Sequence, residues 1–142
     1  MSRSGYCDDG DGGQWQFIRW RGMVASAARG KRGQAFFKDM LAALDEMPIK
    51  RLIAEELVHE GEVCALGALA QRRGIDVTDI DPENSLVVAG AFNIAEPLAQ
   101  ETVFMNDEAG SYKETPEDRF ARVRAWVARQ IKDAPTTTGA AA

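Results

Sequence analysis

Between residues 15 and 132 the chain alternates apolar stripes with short polar breaks, and most stripes have a helical period. Trp20, Val24, Ala27 and Ala28 fall at i, i+4, i+7 and i+8, which predicts a first helix from Trp15 to Ala28. Gly22 lies inside it, where glycine costs about 1 kcal/mol relative to alanine, and is expected to mark close packing or a kink. Phe37, Met40, Leu41 and Leu44 form a second stripe and predict a helix from about Gln34 to Glu46, ended by Met47-Pro48. Arg29-Gly30-Lys31-Arg32-Gly33 between them reads as a tight turn with Gly30 as C-cap, so the two helices should form an antiparallel hairpin.

The middle of the chain is less regular. Leu52, Ile53, Leu57 and Val58 fit a helix tolerably, but His59-Glu60-Gly61 is a turn signal and Glu62 to Ala65 is extended in character. A two-stranded hairpin is the favoured of the two readings. A helix from Ala65 or Leu66 to Arg73 should stop at Gly74. Asp81 as N-cap and Pro82 as first residue predict a helix to about Phe92. Asn93 is expected to cap the next helix, which holds Pro97 in its first turn and ends near Met105 or Asn106. Thr115-Pro116-Glu117-Asp118 opens the last helix with a cap, a first-position proline and two acids that suit the dipole. Phe120, Val123, Val127 and Ile131 carry that helix to about Lys132. The expected fold is mainly α, a compact five- to six-helix domain with at most one small β-hairpin (α+β).

Composition sets the bounds. At 142 residues the chain suits one domain with its own core. Residues 1–13 are rich in Gly, Asp and Ser and read as a flexible arm; 134–142 read as a disordered tail; 14–133 are the single globular domain. No apolar run approaches a bilayer span and no apolar leader opens the chain, so no membrane partner is expected and the location is expected to be cytoplasmic. Cys7 and Cys64 then remain thiols rather than a disulfide.

Charge changes the picture most. The net charge is −5, yet from Gly12 to Lys38 there are six basic residues and no acid. Eleven basic residues face all 22 acids in the remainder, which argues against a general nucleic-acid coating protein and leaves room for one local anion site. The ligand-binding candidates are Arg19, Arg21, Arg29, Lys31 and Arg32 as cationic donors, with Gly30 and Gly33 permitting close approach to a helix N-terminus. The alternative is a solvated turn whose cations pair with the acidic remainder. The stretch is not a Walker A loop, because Ala25 and Arg32 stand where that motif needs Gly and Ser or Thr. Trp15, Phe17 and Trp20 interleave with Arg19 and Arg21; since Trp20 aligns with Val24, the rings read as core or an oligomer interface before a base-stacking surface.

Asn106, Asp107 and Glu108 are secondary candidates, a polar cluster at a helix C-terminus where anions are unusual. His59, the lone histidine, reads as a surface residue in a turn. Asp76, Asp79 and Asp81 lack the glycine and terminal glutamate of a calcium loop. No catalytic residue, metal or cofactor is expected.

Several runs carry a family likeness: Trp20-Arg21-Gly22, Ser26-Ala27, Arg29 to Gln34, Val63 to Leu69, Asn106-Asp107-Glu108 and Thr115-Pro116-Glu117. In these the chain resembles an uncharacterised family of small proteins encoded by tailed phages and prophages. The resemblance carries no activity or site residue. It implies an accessory protein in a bacterial host cytoplasm, of the kind that binds and blocks host components. The expected function is non-enzymatic binding of an anionic ligand, such as a nucleotide signal, or of a host protein, to counter bacterial defence. A DNA- or RNA-binding regulator, an acidic-surface protein-binding adaptor or inhibitor, and a metal-dependent hydrolase using Asp107 and Glu108 are the alternatives, and a homo-oligomer is compatible with each.

Overall fold

The computed structural model describes residues 13–132. The expected arm, tail and Cys7 lie outside the described residues, apart from Gly13, which opens the first helix. Six helices and one short hairpin follow in order: α1 (Gly13–Arg29), α2 (Lys31–Glu46), β1 (Val58–His59), β2 (Glu62–Val63), α3 (Ala65–Arg73), α4 (Ser85–Phe92), α5 (Glu96–Asp107) and α6 (Pro116–Gln130). The fold is therefore mainly helical with a two-stranded antiparallel hairpin. No helix among the described residues is long and apolar enough to cross a membrane.

The central helix is α2, which packs against α1, α3 and α6; α5 in turn packs against α1 and α4. Phe36, Phe37, Met40 and Leu44 are fully buried on α2. The Phe37 ring lies edge-on to Phe36 at 5.2 Å and to Trp126 at 5.3 Å. Removing each such side chain from water is worth about 1.5–3 kcal/mol. Gln34, also buried, ties two helix ends together. Its Nε2 donates to Ala28 O at 2.7 Å and to Gln130 O at 2.9 Å, while its Oε1 accepts from Lys132 N at 2.9 Å. One amide thus satisfies terminal carbonyls of both α1 and α6.

The hairpin reading of the middle segment holds. Val58 pairs with Val63 and His59 with Glu62, and both turn residues, Glu60 and Gly61, have positive φ as a tight type I′ turn requires. Gly74, at φ 71°, closes α3, and Thr115 Oγ1 accepts from Asp118 N at 3.0 Å to open α6.

Five local expectations are corrected. The connection between α1 and α2 is Gly30 alone, because α2 begins at Lys31 rather than Gln34. Gly30 has φ −71° and ψ 170°, so it is the N-cap of α2 and not a left-handed C-cap. The helix can start early because Gly33 lets the α1 backbone close in: a Cβ there would sit 1.9 Å from Ala27 O. Gly22, by contrast, faces open space. The predicted start at Asp81 fails because Asp81 Oδ1 accepts from Glu83 N at 2.9 Å in a local turn, and Asn84 becomes the cap of α4. Asn93 ends α4 in a left-handed conformation instead of opening α5, whose N-cap is Ala95.

Candidate functional site

The sequence pointed to the basic stretch, and the helices divide it. Arg21 and Trp20 turn toward α5: Arg21 Nη1 lies 2.6 Å from Glu101 Oε2, and Trp20 Nε1 donates to Gln100 Oε1 at 2.9 Å. The Arg21 guanidinium also stacks 5.5 Å from the Trp20 ring centroid. Glu101 is buried, so this arginine is held by a charge that would be costly to leave alone. Arg21 therefore joins α1 to α5. Arg19 projects from the other side of α1 and is exposed.

The remaining candidates gather where α1 meets α2. Arg29 is the last residue of α1, Gly30 the link, and Lys31 and Arg32 the first two residues of α2; all four are exposed. Arg32 Nη1 donates to Asn93 Oδ1 at 3.2 Å. Arg29 and Lys31 have no ion pair among the described residues. Gly33 is buried against Ala27 and does not offer its backbone to a ligand. The C-terminal carbonyls of α1 lie one residue from the N-terminal amides of α2, so the two dipole ends largely oppose each other at this corner. A helix dipole therefore adds little for an anion at this corner, and the charge there is that of the side chains.

Elsewhere several arginines are neutralised by nearby acids. Arg51 meets Glu62, Arg72 meets Glu46, Arg73 meets Asp39, and Arg124 grips Asp45 through two nitrogens. That grip holds the Asp45 carboxyl below its ordinary range. Arg29 and Lys31 are left out of this pairing.

The secondary candidates serve the scaffold. Asn106 is buried; its Oδ1 accepts from Ala65 N at 3.1 Å, and its Nδ2 donates to Ile53 O at 2.9 Å and to Asp107 Oδ1 at 2.7 Å. It links the start of α3, the 50s segment and the end of α5. Asp107 is half-buried, and that burial raises its pKa against the lowering effect of Asn106 and the Glu55 backbone. Glu108 is exposed and ends α5. Among the described residues no group of three or more His, Cys, Asp or Glu could hold a metal ion.

Sequence reasoning missed two features. Arg122 clamps Glu114 through Nε at 2.6 Å and Nη2 at 2.9 Å, and also donates to Met105 O at the end of α5. Arg119 joins at 3.4 Å, and the Arg122 hydrogen bonds hold the Glu114 carboxyl below its ordinary range. Only the helical i, i+3 spacing of Arg119 and Arg122 hinted at it. The second feature is a cavity of about 290 Å³ lined by Glu55, Glu56, Leu57, Val77, Ile80 and Asp81 among others. It holds three carboxylates and none of the basic candidates. His59 stands nearby on the surface, its Nδ1 2.9 Å from Glu56 Oε2. Cys64 is buried at the start of α3, and burial pushes its thiol up to about 12.

Comparison with family models, with curated proteins and with solved structures finds no match to this chain.

Proposed function

We propose that this chain is a non-enzymatic binding protein that recognises an acidic face of a partner protein through the α1–α2 corner. The observation that carries the reading is the corner itself: Arg29 and Lys31 are exposed, adjoin Arg32, and lie outside the ion pairing that neutralises Arg51, Arg72, Arg73 and Arg124. Arg32 beside them donates one hydrogen bond to a neutral amide, that of Asn93, and keeps its charge unpaired among the described residues. Exposed cations close together in the chain suit a macromolecular surface better than a nucleotide, because small-ligand sites are concave and bury roughly 70–90% of the ligand. The described cavity has the wrong charge for a phosphate. The context implied by the resemblance to phage proteins makes the partner a bacterial host protein, and the consequence of binding the blunting of a host defence component.

The test places a photo-crosslinking residue at Lys31 in cells, identifies the partner, and titrates that purified partner against the intact chain. Reversing Arg29, Lys31 and Arg32 to Glu should weaken binding by at least about a hundredfold at low salt, with a shallower salt dependence. Undiminished affinity of the reversed protein, or a nucleotide retained in native mass spectrometry, overturns the reading.

A further inference from the structure

A different part of the surface carries a second reading, independent of the corner. The outer face of α1 exposes Trp15 (66%), Ile18 and Met23 around Gly22, with Arg19 among them. α4 exposes Leu86 (69%) and Val87, with Gly90 on the same side and no charged residue in the helix. A Cβ at Gly22 or at Gly90 would meet nothing within 4 Å, so each helix has a bare patch where another side chain could rest. The two faces differ in charge. α1 contains no acid, and the segment leading into α4 holds Asp76, Asp79, Asp81 and Glu83 with no base. All four of these carboxylates belong to exposed residues.

We propose that two copies of this chain associate with the outer face of α1 of one copy seated on α4 of the other. Trp15, Ile18 and Met23 cover Leu86, Val87 and Gly90, while Arg19 approaches the Asp79–Glu83 turn. Apolar faces of complementary charge fit each other better than either fits itself, because α1 on α1 would oppose like charges. Size sets the strength. α4 is eight residues long, about 12 Å, so one such contact falls well short of the roughly 800 Å² per partner of a standard interface. Association should therefore be reversible, concentration-dependent and weakened by salt.

Sedimentation velocity of the full chain, followed upward from micromolar concentration, should give a mass rising above 15.5 kDa. The rise should shrink as salt goes from about 50 to about 500 mM. Leu86→Lys and Ile18→Glu should each weaken self-association by about tenfold or more. The decisive arm is a charge exchange. Arg19→Glu in one variant, and Asp79→Lys with Glu83→Lys in another, should each lose association alone and regain it on mixing. The corner residues Arg29, Lys31 and Arg32 stay native throughout, so failure here leaves the partner-binding reading standing, and the reverse. A chain that is monomeric at every concentration, or association unchanged in Leu86→Lys and unrestored by mixing, overturns the proposal. Circular dichroism of each variant confirms folding before its mass is read.

Discussion

Adding one methyl group at Gly33 should be among the most damaging small changes in this domain. A Cβ there would lie 1.9 Å from Ala27 O, 2.9 Å from Ala27 C and 3.1 Å from Ala28 Cα. The first distance is roughly 1.5 Å short of ordinary contact, and the obstacle is helix backbone rather than a movable side chain. α1 and α2 would have to part, loosening Trp20 and Val24 on one side and Phe36 and Phe37 on the other. Strain of this kind costs about 3 kcal/mol, against which alanine returns about 1 kcal/mol of helix propensity. The expected net loss is about 2 kcal/mol. Gly22→Ala is the control, since the same methyl group there meets nothing, and it should gain up to about 1 kcal/mol. Urea unfolding followed by circular dichroism and by tryptophan fluorescence measures both. A Gly33→Ala midpoint equal to or above that of the parent chain would refute the packing argument, whatever Gly22→Ala does.

Other outcomes follow from the same structure. Asn106→Leu should cost about 2–4 kcal/mol in the same unfolding assay, because Ala65 N–H and Ile53 C=O lose their partner in a buried place. Burial raises the Asp107 pKa, so the folded chain gives up that proton at higher pH than the unfolded chain, and ionisation costs stability as pH rises through that window. Asp107→Asn should therefore gain stability at neutral pH, with the gain fading as pH falls below the ordinary carboxylate range. Glu114 has the opposite sign: its lowered pKa gives stability that is present above the ordinary range and lost as pH falls through the folded value. Glu114→Gln should be less stable than its parent at neutral pH, and the two should converge in acid. In a Cys7→Ser chain, Cys64 should be silent to a thiol reagent near neutral pH until urea unfolds the protein; rapid labelling of the native state would contradict its buried, raised thiol.

Much of the fold was legible because its signals are local. The Phe37, Met40 and Leu44 stripe, the Thr115-Pro116 start and the Gly74 stop each act within one or two helical turns. The failures are places where a distant or competing contact decides. Gly33 looked like a turn residue, but its role is set by Ala27 across a helix crossing. Asp81 and Asn93 are good caps in composition, and each found another bond or backbone state. In the candidate site, charge pattern marked Arg29, Lys31 and Arg32 as exposed cations. It could not foresee that Arg21 would be drawn to Glu101, eighty residues along, or that Asn106 would fasten three segments.

Gln34 gives the molecule a mechanical property. Its amide holds the last turn of α1, directly before Arg29, and at the same time the backbone of residues 130 and 132. The α1–α2 corner and the exit of α6 therefore share one clasp, and neither end can fray without loosening the other. A protein pressed on Arg29 and Lys31 would steady that clasp, and the Lys132 amide, nearly a hundred residues away in the chain, would exchange its hydrogen more slowly. That single amide would then serve as a gauge of the proposed contact at the corner.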